Sequence, residues 1–231
     1  MVVYATFDIK NKDSGNARQT GLKFCYLRSR MYRLLRRFLF LFPPEAVHYF
    51  SMNFLKLLCR IGLKKIIADI FRPKGNLQCT LLNIQFSNPV GLGAGFDKNA
   101  RYLRELEALG FGFVEIGTVT PLPQKGNDKP RLFRLPKDKA LINRMGFNND
   151  GVKVIAERLY LWKNEFDVRG SGFEVTENST SNIKNRTSNL IIGGNIGKNK
   201  NTPNEDAWKD YETCFKALYP YVDYFVVNVS S

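Results

Sequence analysis

The chain has 231 residues, 44% apolar and 13% aromatic, which is enough for one sizeable core or a core with a small appendage. Four scattered cysteines without a CxxC pair (Cys25, Cys59, Cys79, Cys214) and a single histidine, His48, exclude a zinc site, argue against a disulfide framework and make a reducing compartment the default. The net charge of +14 is localised: residues 1–75 carry 15 Lys/Arg against 4 Asp/Glu and residues 76–231 carry 20 against 17, so a basic segment suited to an anionic surface precedes a near-neutral domain.

Residues 1–30 show no clear period and read as an unstructured N-terminal extension. Over residues 31–42, Leu34, Leu35, Phe38, Leu39 and Phe42 recur at helical spacing, with Arg33, Arg36 and Arg37 on another face, which predicts a basic amphipathic helix. Pro43 and Pro44 end it, and Pro44 suits the first turn of a second helix striped by Val47, Phe50, Phe54, Leu57, Leu58 and Ile61. A third short helix over 63–71 stops before Pro73. Two readings of these stripes stay open: surface helices packed on a core, or a monotopic anchor with the arginines at headgroup level. No run of 18 apolar residues and no secretory signal occur, so neither a membrane-crossing helix nor export is expected. No nucleic-acid partner is expected either, because the basic residues lack interleaved stacking platforms and no binding motif is legible.

From residue 77 the texture changes. Residues 77–86 suit a short hairpin, and a strand–helix rhythm follows. Strands are predicted over 88–95, 113–120, 190–197 and 224–231, and helices over 100–109 and 149–162. A third helix of this part is expected to start at the capping box Thr202-Pro203-Asn204-Glu205. Apolar runs such as 190–192 and 224–227 indicate parallel strands buried on both faces, in either a doubly wound sheet or a barrel. Residues 121–136 read as a proline-rich excursion. About 165–189 reads as a disordered insertion, since 171–189 alone hold four Ser, three Thr and four Asn. Its two Asn-X-Thr/Ser sequons are taken as coincidental without a secretory signal.

Polar and small residues cluster where these strands end: 93–98, 117–118, 194–198 and 228–231. Parallel α/β folds bind ligands at the carboxyl ends of their strands, and small residues there let backbone N–H groups approach a flat ligand. A dinucleotide fingerprint is incomplete, because Phe96 stands where a further glycine is needed. A Ser-His-Asp hydrolase is disfavoured, because His48 lies in the helical appendage, where it reads as a packing or capping residue.

The segments NPVGLGAGFDK (88–98), FGFVEIGTVTP (111–121), GNDKPRLFRLP (126–136), INRMGFNN (142–149), NIGKNK (195–200) and NVSS (228–231) resemble the class 2, membrane-associated dihydroorotate dehydrogenases. The likeness runs in order from about residue 31 to the last residue, broken only by 165–189. It implies an FMN-binding (β/α)8 TIM-barrel family, here the first four βα units over 76–231. Before them stands a small helical domain, 31–75, for membrane association and a quinone tunnel.

Carried over residue by residue, the resemblance implies that Ala94, Gly95, Lys98, Thr118, Asn195 and Asn228 contact FMN. Lys98, Asn143, Arg144, Met145, Gly146, Phe147 and Asn228 hold dihydroorotate or orotate. Ser231 is the base that takes a proton from C5, while hydride leaves C6 for the flavin. A hydroxyl acts as a base only when its proton can be relayed and the developing charge met by prearranged donors. Serine rather than cysteine at this point also implies class 2. His48 and Arg134 then line a tunnel for ubiquinone or menaquinone. The expected location is peripheral, on the cytoplasmic face of a bacterial inner membrane or, alternatively, at the mitochondrial inner membrane. The expected activity is oxidation of (S)-dihydroorotate to orotate in pyrimidine synthesis, with no metal. The family pattern continues past the serine with a Pro-Asn pair and four more βα units, so the chain by itself is expected neither to hold FMN tightly nor to turn over. A separate chain is one source of the second half. The alternatives are an inactive membrane-associated remnant and an FMN oxidoreductase of another pyrimidine.

Overall fold

The computed structural model describes residues 4–6, 30–163 and 188–229. In chain order the elements are β1 (Tyr4–Thr6), α1 (Arg30–Leu39), α2 (Pro44–Leu58), a π-turn (Cys59–Leu63), α3 (Lys64–Phe71), β2 (Cys79–Leu81), β3 (Ile84–Phe86), β4 (Val90–Leu92), α4 (Leu103–Ala108), β5 (Phe113–Val119), β6 (Leu132–Leu135), β7 (Ala140–Asn143), α5 (Val152–Lys163), β8 (Ile191–Ile196), α6 (Ala207–Leu218) and β9 (Tyr224–Val227).

The main sheet has the order β1-β4-β5-β8-β9, parallel throughout except that β1 pairs antiparallel with β4. From β4 onward each strand adds on the same side as the last. A doubly wound sheet reverses direction at a switch point, whereas a barrel does not. The progression is therefore barrel-like.

One face of the sheet carries Val114, Ile116 and Ile192, all fully buried, against Leu103 and Leu106 of α4, Ile155 and Leu159 of α5, and Cys214 and Leu218 of α6. Burying each such aliphatic side chain stabilises the fold by about 1.5–3 kcal/mol. The other face carries Phe113 and Glu115, with Gly91 and Gly193 at neighbouring register positions. Phe113 is covered by Phe86 of the β2–β3 hairpin, edge to face at 5.5 Å. A Cβ on Gly91 would lie 2.2 Å from the Phe113 ring. Gly91→Ala is therefore expected to cost about 1–3 kcal/mol through overpacking, read as a lower urea midpoint at unchanged slope.

The helices α2 and α3 pack against α4, each burying one residue, Met52 and Ile67, while much of the apolar surface of α1 to α3 faces outward. Gly62 (φ 98°) makes the turn between α2 and α3, a conformation that costs other residues about 1–2 kcal/mol. No helix among the described residues is long and apolar enough to cross a membrane.

Several sequence expectations shift. The extension 1–30 was expected to be unstructured, yet Tyr4–Thr6 pairs along the edge of β4; residues 7–29 lie outside the described residues. The helix expected over 31–42 ends at Leu39, and the carbonyls of Phe40 and Phe42 turn to Arg134. The helix expected from 100 starts at Leu103, because Asp97 accepts the N–H groups of Arg101 and Tyr102 at 2.8 Å each and holds the preceding turn. The proline-rich excursion ends in β6, the first arm of a hairpin completed by β7 beyond it and paired from Leu132↔Asn143 to Leu135↔Ala140. The box at 202–205 does not cap a helix. Thr202 Oγ1 donates instead to Asp210 Oδ2 (2.8 Å), which also accepts the N–H of Asn199 (2.7 Å), and α6 begins at Ala207. Residues 165–187 of the expected insertion lie outside the described residues.

Candidate functional site

The carboxyl end of β4 runs into a loop whose small residues, Ala94 and Gly95, lead to Asp97 and Lys98. Asp97 is buried, and burial pushes its carboxyl up against the pull of the two backbone N–H groups it accepts. That anchor aims Lys98 across to the loop 142–149. Lys98 Nζ donates to Gly146 O (3.0 Å) and Asn148 Oδ1 (2.7 Å). Burial, and then the nearby Arg131 guanidinium, lower its pKa from the usual 10.5 to about 8.

Lys98 lines a cavity of about 430 Å³ between the start of α2, the loop after β4 and the β6–β7 hairpin, together with Glu45, His48, Gly95, Asn143 and Met145. His48 stands edge-on to Phe96 at 4.6 Å, and burial lowers its pKa, so it is neutral at pH 7. One wall is fixed by a buried fork: Arg131 Nη2 and Nε donate to Glu45 Oε1 (2.6 Å) and Oε2 (3.2 Å). Arg131 Nη1 also donates to Lys125 O (2.7 Å) and Asn127 O (3.0 Å). The guanidinium holds the Glu45 carboxyl below its usual range.

The ends of β5, β8 and β9 meet in a hydrogen-bonded chain. Asn228 Nδ2 donates to Thr118 Oγ1 (3.0 Å), which donates to Asn195 Oδ1 (2.7 Å). Asn195 Nδ2 in turn donates to Glu115 Oε1 (2.8 Å). A Cβ on Gly197 would lie 2.6 Å from the Thr118 methyl and 3.6 Å from the Phe147 ring. Phe147 therefore links the two clusters, one around Lys98 and one around Thr118, at the same end of the sheet. Asn149 ties this loop to β5: its amide donates to Thr120 Oγ1 (2.9 Å) and Phe147 O (3.0 Å).

The structure thus gathers Lys98, Gly146 and Phe147 with Thr118, Asn195 and Asn228, and places Ala94, Gly95, Asn143, Met145 and His48 along the cavity beside them. Arg144, expected to hold substrate, turns to a carbonyl outside this cluster, and Arg134, expected in the tunnel, sits at the turn between α1 and α2. Arg144 donates to Pro130 O (3.1 and 3.3 Å) and lies over the Phe133 ring. Arg134 donates to Phe42 O (2.6 Å) and sits 4.5 Å above the Phe40 ring. Ser231 lies outside the described residues. Sequence reasoning missed Asn148, Glu115 and the Glu45–Arg131 fork. Strand alternation puts Glu115 on the Phe113 face, but its partner on β8 is 80 residues away in the chain.

Chemically, the cavity offers a cation beside small, backbone-accessible residues and neutral amides. That set suits a planar, anionic heterocycle.

The family model described as dihydroorotate dehydrogenase matches residues 76–231. The chain is 50% identical over 204 residues to a dihydroorotate dehydrogenase (quinone) of Christiangramia forsetii, covering 87% of this chain and 53% of that protein. It is 43% identical over 201 residues to the protein of the same name from Marinobacter nauticus (87% and 51% covered). The chain spans about half the length of the curated relatives it matches. Among solved structures, it resembles DHODH of Eimeria tenella in complex with ferulenol, at 38% identity and a TM-score of 0.59, covering 81% of this chain and 44% of that one.

Proposed function

The chain belongs to the quinone-linked, class 2 dihydroorotate dehydrogenase family, a TIM-barrel-type α/β fold, and from that premise we propose that it serves the oxidation of dihydroorotate to orotate with electrons passed to a membrane quinone. The observation that carries this reading is the convergence of Lys98 with the Thr118–Asn195–Asn228 chain at one end of a parallel sheet.

The residues present fit a flavin ring. Ala94 and Gly95 leave room for a flat face, and Thr118, Asn195 and Asn228 offer hydroxyl and amide groups to its polar edge. When bound, FMN supplies the hydride acceptor and the route for electrons to the quinone. Lys98 is the cation that meets the substrate carboxylate, in a site where few waters compete. Asn143 and the loop through Phe147 orient the pyrimidine. Ser231 takes the proton from C5 as its own hydroxyl proton is relayed to an acceptor such as water. His48, neutral at the inner end of α2, borders the quinone route, and Arg134 pins the turn between α1 and α2 that frames it.

In this reading the strands β4, β5, β8 and β9 are four staves of an eight-stranded barrel. The helices α1 to α3 form the membrane-facing domain: Leu34, Phe38, Phe50, Phe54, Leu57 and Ile61 are all more than half exposed and make an apolar face. The protein is then peripheral on the quinone-bearing membrane, the inner membrane of a bacterium or of a mitochondrion.

Co-expressing the chain with the C-terminal half of the Christiangramia forsetii relative tests this function. The expected product is a yellow complex that reduces a quinone analogue only when dihydroorotate is supplied, with Ser231→Ala slowing it by about 10³-fold or more, the scale of losing a general base. A folded complex that holds no flavin, or that oxidises some other pyrimidine but not dihydroorotate, would overturn it.

A further inference from the structure

Glu115 and Thr118 lie three positions apart on β5, so on a regular strand their side chains leave opposite faces of the sheet. Both nevertheless reach one side chain on β8. Asn195 Nδ2 donates to Glu115 Oε1 (2.8 Å), and Thr118 Oγ1 donates to Asn195 Oδ1 (2.7 Å). A bulge makes this possible. Ile116 pairs with Gly194 and Val119 with Ile196, so Gly117 and Thr118 together oppose Asn195 alone, and the extra residue re-aims Thr118. Gly117 has φ 100°, and a Cβ there would lie 2.4 Å from Asn195 O, so glycine is the residue that fits.

The hydrogen-bonded chain built on this bulge has a sense, and Glu115 sets it. A carboxylate accepts and does not donate. Asn195 therefore turns its amide N–H towards Glu115 and its carbonyl oxygen towards Thr118. The single hydroxyl proton of Thr118 is then committed to Asn195, which leaves Oγ1 to accept from Asn228 Nδ2 (3.0 Å). Thr118 and Asn195 are 7% and 6% exposed, so little water competes for these groups. Glutamine has the shape of glutamate but also donates. With it at position 115 the Asn195 amide is free to reverse, and the order imposed on Thr118 and Asn228 is lost.

We propose that Glu115 is a positioning residue for flavin binding: an acceptor-only anchor that fixes the sense in which Asn195, Thr118 and Asn228 meet the polar edge of the ring. The proposal rests on the reading of those three residues as flavin contacts and adds the residue behind them that orients them. The side chain of Glu115 bonds to Asn195, and its influence passes through that amide.

The chain assembled with the C-terminal half of the Christiangramia forsetii relative, stripped of flavin and titrated with FMN, provides the test through the loss of FMN fluorescence. Glu115→Gln is expected to weaken FMN binding about tenfold, the scale of one hydrogen bond to a charged group. The thermal melt of the flavin-free complex should stay unchanged. The sign is diagnostic, because removing a negative charge from the site of a ligand that carries a phosphate would, by charge alone, tighten binding. In an Asn195→Ala background the same substitution should change affinity by less than about twofold, since the link it acts through is gone. Should Glu115→Gln fail to assemble, Glu115→Asp carries the complementary expectation. It keeps an acceptor-only group and should stay within about threefold of wild type, and a larger loss would count against the anchor. Equal or tighter binding by Glu115→Gln, a lowered melt with unchanged affinity, or a loss that persists undiminished in Asn195→Ala would overturn the proposal and leave the flavin reading standing. A wild-type complex that takes up no FMN sinks both.

Discussion

Replacing Lys98 by methionine is expected to weaken orotate binding, in the FMN-loaded complex of this chain with the C-terminal half of the Christiangramia forsetii relative, by about 100-fold, the scale of removing one partner of a desolvated charge pair. The side chain is drawn into the cavity by Gly146 O and Asn148 Oδ1, and its pKa is lowered to about 8 by burial and by Arg131. An anion needs the protonated amine. Orotate affinity should therefore be flat at neutral pH, fall about tenfold per pH unit above 8, and lose that dependence in Lys98→Met. Calorimetric titration across this range reads both effects. The unliganded chain should respond in the opposite direction. Between pH 8 and 10.5 the unfolded state holds more protons at this group than the folded state, so stability rises with pH through that window. Below 8 both states are protonated and the full penalty stands. A stability profile without the rise, or an identical rise in Lys98→Met, would show that another group is responsible.

The second large effect is on stability. Arg131→Met should cost about 3–5 kcal/mol, because it leaves the Glu45 carboxylate buried without its fork. Both side chains are largely shielded, 8% and 12% exposed, and Arg131 also satisfies two loop carbonyls. The double variant Glu45→Met/Arg131→Met should recover much of the loss, since an apolar pair leaves no orphaned charge. The pH profile follows from the lowered Glu45 pKa. Its contribution is complete above the ordinary value of 4.5 and disappears as pH falls through the depressed folded value. Wild type should thus lose stability in acid, and Arg131→Met should not lose this increment. Urea titrations at neutral and acid pH measure it.

Local signals made much of the fold legible in the sequence. The β-branched and apolar runs at 113–119 and 191–196 became buried parallel strands, whereas 224–227, expected to be buried on both faces, became the partly exposed edge strand β9; Pro44 opened α2 where proline is tolerated. Non-local events were not legible. Tyr4–Thr6 finds β4 across more than 80 residues, and the β6–β7 hairpin is hidden because β6 sits between Pro130 and Pro136 and a Lys-Asp-Lys turn separates it from β7. Thr202 was misread because its hydroxyl had a nearer carboxylate in Asp210 than the backbone it was expected to cap.

The candidate site divides in the same way. Strand-end clusters identified Lys98, Thr118, Asn195 and Asn228, because chemistry-bearing residues at the carboxyl ends of parallel strands share one face whatever the intervening loops do. Asn148 escaped because its meaning depends on loop 142–149 folding back onto a residue 50 positions earlier. The positions of Arg134 and Arg144 escaped because long cationic side chains choose among many carbonyls and rings.

A crystal structure of the chain in complex with the C-terminal half of the Christiangramia forsetii relative, with FMN and orotate bound, tests most directly whether these strand ends embrace one flat ring. The expected result has the isoalloxazine against Ala94, Gly95 and Thr118, with Lys98 Nζ on the orotate carboxylate and Ser231 facing C5. A flavin seated at the opposite end of the sheet, or Lys98 and Ser231 opening into separate compartments, would contradict it.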